Sequence, residues 1–299
     1  MKKNVLLLVL LLLISSFVVA APQKIKVGVY LMSISKFSFT EGTYMADFYL
    51  ALKSDQNIPD DLNLDVMNGQ ITSKVIADNT PKYKVYRYKV VCNENLNYKS
   101  FPFDSHSLSL QFEDNVLDEA KIILEADDKL LGVDEKVGII GWDLSKKTSH
   151  NIYTHFYPNF QQKYSRYVFN VTLNKPVVAS FIKGVLPCFV IVFGVFMLYF
   201  MNPKEPKDRI NAMASLLIAN VILHINSTAG LPPLSYMTVQ DKLMITNYLA
   251  VLASIGVTVI LIKYMPKNPE LLPKINRRAQ LIVYPSYIFL QIMNIVWIY

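Results

Sequence analysis

The sequence predicts an extracellular all-β sandwich, immunoglobulin-like and of about ten strands, followed by a four-helix transmembrane bundle. Residues 21–175 show short apolar segments, many of period two, separated by turn residues, whereas residues 176–299 contain four apolar runs of membrane length. The mean hydropathy of +0.28 is too high for an ordinary soluble domain. Most of the excess lies in the four runs, which supports a membrane domain behind the sandwich.

Residues 1–20 read as a secretory signal peptide. Lys2 and Lys3 precede an apolar run from Val5 to Ile14, and small residues follow up to Ala20. The run is too short to be a comfortable spanning helix, and cleavage after Ala20 would export the residues that follow. We therefore expect residues 21–175 to lie outside the cytosol.

The front half reads as a succession of strands. Alternating or short apolar runs favour strands, and clusters such as Asn57 to Asp61 and Asn68-Gly69 mark the turns between them. No convincing helical period interrupts this pattern, which favours a sandwich. The predicted strands include residues 26–31, 44–52, 82–91, 108–112, 121–124 and 167–173.

Four apolar runs follow Pro176, and each is about 19 to 24 residues long, enough for the ~30 Å hydrocarbon core of a bilayer. Lys183 and Pro187 interrupt the first run without ending it. We expect the four helices at about residues 177–200, 209–229, 241–264 and 278–298.

The distribution of basic residues orients these segments. Lys204, Lys207 and Arg209 lie in the first connection and a basic cluster lies in the third, whereas residues 230–240 contain no lysine or arginine. Basic residues stay on the cytosolic side of a membrane. The first and third connections should therefore be cytosolic, with both chain termini outside.

Charge and residue types argue against several classes of protein. The net charge of +7 does not indicate a nucleic-acid partner, because many basic residues flank membrane segments and the front half is exported. Cys92 and Cys188 lie in different halves, so no disulfide is expected. We find no nucleophile–base pair, metal-ligand set or phosphate-binding loop in the sequence. We therefore expect neither an enzyme nor a bound metal or cofactor.

One face of the second apolar run carries a stripe that is polar and then aliphatic. Asn211, Ser215, Ile218, Ile222 and Ile225 recur at spacings of four, three, four and three. At about 100° per residue they fall within an arc of roughly 80°. The stripe favours either the wall of a pore that aliphatic rings can close or the packing face of a membrane helix.

A short loop makes a specific match to a known family. The loop at residues 101–104 reads FPFD, residues 141–144 read GWDL, Leu231-Pro232 follow the second run and Pro285 lies in the fourth. In this order, with an exported sandwich and four spans, the chain resembles the pentameric ligand-gated ion channel family, the Cys-loop receptor superfamily, in its bacterial form. The agreement runs from about residue 27 to the C-terminus.

The resemblance implies a homopentamer, in which four further copies of the chain surround a pore through the lipid bilayer of a bacterial cytoplasmic membrane. Eukaryotic members of the family bracket the FPFD loop with two cysteines. Glu94 and Leu108 stand at those places here. The loop must therefore be held by packing rather than by a disulfide.

The resemblance also assigns positions along the pore. Five copies of Asp208 at the cytosolic mouth would form a negative ring that attracts cations. An anion-selective pore, with Asp208 neutralised by Lys207 or Arg209, is the alternative. The implied pore-lining residues are Asp208, Asn211, Ser215, Ile218 at the central gate, Ile222 and Ile225.

The family binds its ligand between neighbouring sandwiches, in a box of aromatic rings that is capped by a loop, here at residues 150–164. Tyr153 and Tyr164 fit the box best, and Glu113 fits the position of a carboxylate. Aromatic faces beside a carboxylate suit an ammonium group, so the resemblance implies a small, amine-like extracellular ligand. The candidate ligand-binding residues are Tyr153, Tyr164, Glu113, Phe156, Tyr30 and Tyr44.

Other roles stay open for this part of the chain. The aromatic residues could belong to the core or to turns, and His106, His150 or His155 could sense protons. A non-conducting membrane receptor with the same fold is a further alternative. The order of polar and aliphatic residues in the stripe argues against it, because a scaffold needs no such gradient.

Binding should be coupled to opening at the junction of the two domains. Pro102 and Phe103 are expected to rest on the loop at residues 230–236. Asp104 is expected to pair with Arg166 or Lys175. The implied coupling residues are Phe101, Pro102, Phe103, Asp104, Arg166, Lys175 and Pro232.

Overall fold

The computed structural model describes residues 21–296. The expected signal peptide at residues 1–20 and the last expected residues of the fourth helix, 297 and 298, lie outside the described residues. Within them, a β-sandwich precedes a series of long helices. This order agrees with the fold class that the sequence predicts.

Two sheets form the sandwich. Its strands are β1 (Gln23–Ser38), β2 (Thr43–Lys53), β3 (Leu64–Val66), β4 (Gly69–Thr80), β5 (Tyr83–Asn93), β6 (Ser105–Asp114), β7 (Ile122–Ala126), β8 (Gly132–Val133), β9 (Asp143–Leu144), β10 (Ser149–Tyr157) and β11 (Gln162–Asn174). The first sheet has the order β4-β5-β2-β1-β7, with β8 beside β1. The second has the order β10-β11-β6-β3, with β9 beside β11.

Alternation along the strands builds the core between the two sheets. In β2, Tyr44, Ala46, Phe48 and Leu50 are buried while the residues between them are half-buried, as a period of two requires. Phe48 stacks on Tyr88 of the same sheet at a centroid distance of 5.6 Å. Phe112 of the second sheet packs edge-on against Phe48 at 5.5 Å. These close-packed rings make the sandwich a firm support for the side chains on its outer faces.

Four helical segments follow the sandwich in the described chain: α1 (Val177–Phe200), α2 (Pro206–Thr228), α3 (Val239–Tyr264) and α4 (Leu272–Val296). The first three are long and apolar enough to cross a membrane. Helix α4 is held against α3 by buried amides and hydroxyls, among them Tyr287 Oη, which donates to Asn247 Oδ1 at 3.0 Å. The helices support a multi-pass membrane protein.

Three helices begin earlier than hydropathy predicts. Helix α2 begins at Pro206, which is favoured at the first helical position because it has no amide hydrogen to satisfy. Helix α3 follows a capping box, in which Thr238 and Asp241 bond each other's backbone amides. Helix α4 begins at Leu272. Its first turns carry basic residues, which are good helix formers but are not apolar, so hydropathy does not include them.

Helix α1 is irregular near its outer end. Its turn at Phe181–Val185 is a π-helix, and Pro187 follows two residues later. Because proline lacks an amide hydrogen, the preceding turn loses one backbone hydrogen bond and widens. Carbonyl groups in this turn are therefore available to side chains from neighbouring helices.

Candidate functional site

The segment predicted as a capping loop, residues 150–164, is a β-hairpin instead. Strands β10 and β11 pair without a register shift from Ser149 opposite Asn170 to Tyr157 opposite Gln162. Only residues 158–161 form the turn. The loop prediction is wrong because aromatic residues suit a strand as well as a loop, and several of these residues follow the period of two that is typical of a strand. Pairing gives each side chain of the hairpin a fixed face.

Arg166 lies at the centre of one face of this hairpin. Tyr153 and Glu113 stand directly opposite it on the two neighbouring strands. The Arg166 Nε and Nη2 atoms both lie 2.8 Å from Glu113 Oε2, and Nη2 donates to the Tyr157 hydroxyl at 3.0 Å. The guanidinium carbon is 5.9 Å from the Tyr153 ring centroid. We call Glu113, Tyr153, Tyr157, Tyr164 and Arg166 the hairpin cluster.

The hairpin cluster contains an ion pair that is almost closed to water. Glu113 is 3% exposed and Arg166 is 8% exposed, whereas the Tyr153 ring above them is 43% exposed. The carboxylate that a cationic ligand would use is therefore already neutralised by a cation of the chain itself. An amine would reach the open face of Tyr153 first, and it would contact Glu113 only after Arg166 moved.

Tyr157 is a member of the hairpin cluster that was not among the predicted ligand-binding residues. Its ring packs edge-on against Tyr164 at 5.7 Å, and its hydroxyl bonds to Arg166. Tyr157 shares the parity of Tyr153 along β10, so a strand interpretation of the segment would have placed both on one face.

Three predicted ligand-binding residues lie elsewhere. Tyr44 is 2% exposed in the core, where its hydroxyl donates to the Ser109 carbonyl, so its role is packing. Phe156 projects from the other face of β10, because its neighbours along the strand belong to the hairpin-cluster face. Tyr30 belongs to the first sheet and is 40% exposed. A ligand could contact it together with Tyr153 only between two copies of the chain.

All six predicted pore-lining residues lie on the exposed side of α2. Asp208, Asn211 and Ser215 are exposed, and Ile218, Ile222 and Ile225 are 61%, 53% and 63% exposed. The opposite side of α2 packs against the other helices of the chain. One copy of the chain therefore leaves the stripe uncovered.

The buried side of α2 is anchored by polar contacts. Arg209 is fully buried, donates to Asn276 Oδ1 at 2.6 Å and lies 4.1 Å from the Tyr199 ring centroid. Nearer the outer end, His224 Nε2 lies 3.0 Å from Asp241 Oδ1. Arg209 thus turns into the bundle, and no ion pair joins it to Asp208 within residues 21–296.

The FPFD loop contacts the first and third helices rather than the loop at residues 230–236. Pro102 packs on Gly184 of α1, so closely that a Cβ at Gly184 would lie 3.0 Å from its ring. Phe103 packs against Val185 and Val239. The predicted contact was wrong because the end of the α2–α3 connection, not its middle, reaches the FPFD loop.

The loop at residues 230–236 has different partners in the sandwich. Thr40, in the turn between β1 and β2, donates to the Gly230 carbonyl at 2.9 Å. The backbone amide of Tyr98 donates to the Tyr236 hydroxyl at 3.0 Å. Pro232 lines a polar cavity of about 280 Å³ between these elements. The sandwich therefore contacts the helical domain at two separate places.

Asp104 is enclosed at the junction of the two domains. It is 2% exposed, and neither carboxylate oxygen has a hydrogen-bond partner in the described chain. Arg166 cannot reach it, because eight residues of β11 separate Arg166 from the junction end, or about 26 Å at 3.3 Å per residue. Burial raises the pKa of Asp104 to about 7, and the nearby Lys175 lowers it only in part.

Lys175 and His106 complete the surroundings of Asp104. The Lys175 ammonium lies 4.8 to 5.1 Å from the ring centroids of Phe39, Phe101 and Trp142. Burial, assisted by Lys175, lowers the pKa of His106 to about 4. Of the two partners predicted for Asp104, only Lys175 is close.

Comparisons with known proteins find similar sequences among channels and receptors. Over 175 residues the chain is 23% identical to a proton-gated ion channel of Gloeobacter violaceus, a match that covers 58% of this chain and 48% of the relative. It is 22% identical over 193 residues to an acetylcholine receptor subunit alpha-like protein of Manduca sexta, covering 61% and 37%. A scan against models of protein families finds no match. The chain spans about half or less of the length of these relatives.

The relatives define a class of membrane channels and receptors. A third one, an acetylcholine receptor subunit epsilon of Xenopus laevis, is 22% identical over 191 residues. Together they confirm the resemblance of the chain to the pentameric ligand-gated ion channels, the Cys-loop receptor superfamily. The Gloeobacter relative is a channel rather than an enzyme, which supports the expectation that this chain is not an enzyme.

Removing the carboxylate of the hairpin cluster should destabilise the sandwich. In the Glu113→Gln variant the buried Arg166 loses its counter-charge, which costs about 3–5 kcal/mol when a buried pair is broken. The matched control is Glu125→Gln, because the Lys24–Glu125 pair lies at the surface, with side chains 68% and 33% exposed, and a surface pair contributes much less to stability. Thermal unfolding of the full chain in detergent measures both. Equal, small shifts in Tm would contradict the assignment.

Asp104 should make stability depend on pH. Its folded-state pKa of about 7 lies above the usual value of 3.8. Between these two pH values the folded state therefore binds more protons than the unfolded state does. Its contribution to the free energy of unfolding therefore falls as pH rises from about 4 to about 7. His106, with a lowered pKa, contributes the opposite slope below its usual pKa of 6.5. The two contributions must be separated by mutation.

The Asp104→Asn variant isolates the carboxylate. Its Tm should rise relative to that of the wild type as the pH is raised from about 4.5 to about 7.5, and the two should differ least at the acidic end. Exposed Asp143→Asn, on the same side of the sandwich, is the control. A difference in Tm that does not change with pH would refute the raised pKa.

Proposed function

We propose that the protein is a homopentameric ion channel of a bacterial cytoplasmic membrane, opened by a small extracellular ligand. One observation carries the proposal: the stripe on α2 is exposed along its whole length in a helix long and apolar enough to cross a membrane. Polar side chains facing lipid are costly, whereas five copies around an axis would turn them to water.

The chemistry of the stripe supports a gated pore. Asn211 and Ser215 can replace part of the hydration of an ion, while rings of Ile218, Ile222 and Ile225 can exclude water and close the path. In the proposed orientation, with both termini outside, Asp208 forms a negative ring at the cytosolic mouth. This ring favours cations, and the burial of Arg209 within the bundle leaves the Asp208 charge unpaired by it.

An amine-like ligand is supported by the hairpin cluster. The open face of Tyr153, with Tyr157 and Tyr164 beside it, can attract an ammonium group. Glu113 would become available to the ligand when Arg166 swings away. The site would be completed by Tyr30 of a neighbouring copy, which adds a second aromatic ring from the first sheet.

Protons are the second candidate stimulus. The observation that favours them is Asp104, which is buried at the domain junction with a pKa of about 7. One relative is a proton-gated ion channel. Near neutral pH, small changes of pH would alter the charge at the place where Pro102 and Phe103 contact the helices.

The Ile218→Ser variant tests the channel. The hydroxyl should wet the central ring and produce currents in planar bilayers without any added agonist. Under a KCl gradient, the proposal predicts a reversal potential near that of potassium. Leu223→Ser, on the same helix but off the stripe and half-buried, is the matched control and should not open the pore.

Each other outcome has a separate meaning. Reversal near the chloride potential would keep the channel and overturn the role of Asp208. Absence of current from assemblies verified by native mass spectrometry would reject the channel in favour of a non-conducting receptor. A mass other than five times that of the protomer would reject the pentamer.

A further inference from the structure

Gln240, in the first turn of α3, joins the three elements that meet at the domain junction. It is fully buried. Its backbone amide donates to the Phe101 carbonyl of the FPFD loop at 3.1 Å. Gln240 was not among the predicted coupling residues, because a glutamine near the start of a helix has no recognisable sequence pattern.

The side-chain amide of Gln240 reaches two further helices. Its Nε2 atom lies 3.2 Å from the Gly184 carbonyl, in the π turn of α1. The same nitrogen lies 3.3 Å from Ser227 Oγ, near the outer end of α2. Pro102 packs on the outside of that same Gly184. One residue thus connects the sandwich, the irregular turn of α1 and the helix that carries the stripe.

The other end of this side chain has no partner. Gln240 Oε1 is buried and accepts no hydrogen bond in the described chain. A buried acceptor without a donor is unfavourable, so a rearrangement that supplied a donor would stabilise this side chain. The π turn beside it is a rare irregularity that is frequently found at functional sites. Together these features indicate a contact with more than one arrangement.

Asn247, two turns further along α3, shows the contrast. It is also a fully buried amide. Its nitrogen donates to the Cys188 carbonyl at 3.0 Å, and its oxygen accepts from Tyr287 at 3.0 Å and Gln291 at 3.3 Å. Both ends are satisfied, and these partners lie on α1 and α4 rather than on α2 or the sandwich.

We propose that Gln240 is the positioning residue that transmits movement of the FPFD loop to the outer end of α2. The inference rests on the proposed channel, since it assigns a route between the ligand site and the gate. The backbone hydrogen bond to Phe101 fixes Gln240 to the loop. The side-chain hydrogen bonds then transmit a displacement of the loop to Gly184 and Ser227. Hydrogen bonds can transmit a displacement in a defined direction because they weaken steeply when their geometry departs from linear.

Hydrogen–deuterium exchange on the full chain in lipid nanodiscs tests this route without an agonist. The Phe103→Ala variant perturbs the loop, and its effect is read at the amides of residues 225–230. We expect exchange there to rise by about five-fold, the effect of weakening one hydrogen-bonded contact. When Gln240→Met is added, the same Phe103→Ala change should raise exchange there less than about two-fold. Methionine keeps the length and burial of the side chain and removes its amide.

Asn247→Leu is the matched control, because it removes a buried amide from the same helix. In its presence the effect of Phe103→Ala at residues 225–230 should persist. Should Gln240→Met fail to fold, Ser227→Ala removes only the hydrogen bond from Gln240 to α2. This variant should reduce the effect of Phe103→Ala on exchange at residues 225–230. Transmission that persists with Gln240→Met, or is lost equally with Asn247→Leu, overturns the proposal. Failure of Ile218→Ser to conduct would reject the channel and leave this result interpretable.

Discussion

The architecture depends on one constraint of the bilayer: polar groups within it must be satisfied by protein or by water. Helix α2 satisfies its buried side within the chain, through Arg209 with Asn276 and His224 with Asp241. It leaves the Asn211 side chain on the other side. Ser215 also lies on that side, and its hydroxyl donates to the Asn211 carbonyl at 3.1 Å. A single copy in lipid would therefore be incomplete. In the proposed channel, assembly of several copies around an aqueous path would remove this cost, and the isoleucines that follow would form rings that can close the path.

The sandwich can act on α2 because the sandwich is close-packed and contacts the helical domain at two places. One contact joins the FPFD loop to α1 and the start of α3, and the other joins Thr40 and Tyr98 to the α2–α3 connection. Both ends of that connection are therefore attached to the sandwich. A small rotation of one sheet would displace the two contacts differently, which is how a distant ligand could bend or tilt α2.

Much of the fold followed from the period of apolar residues. The alternation in β2 predicted a strand, and the long apolar runs predicted α1, α2 and α3, because both patterns reflect direct contact with core or lipid. Hydropathy could not predict the start of α4, since its first turns carry basic residues that lower the mean hydropathy there. It also could not distinguish a strand from a capping loop at residues 150–164, where aromatic residues suit either.

The side-chain contacts of the candidate site were harder to predict from the sequence than the fold. Position along the chain predicted the exposed face of α2, since helical geometry alone fixes it. It could not show that Glu113 is already paired with Arg166, that Tyr44 points into the core, or that Gln240 is the point where three elements meet. Each of these depends on which strands and helices become neighbours, and pairing across the sandwich is not encoded in local spacing.

Thiol labelling of α2 in native-like membranes tests most directly whether the stripe faces water. Cys92 and Cys188 are buried, so the unmodified chain supplies a low background. A cysteine placed at Ile225 should react rapidly with a membrane-impermeant thiol reagent, and one placed at Leu223 should react far more slowly. If both are protected from that reagent and the Ile225 cysteine reacts only with a lipid-soluble maleimide, the stripe faces lipid and the proposed pore is wrong.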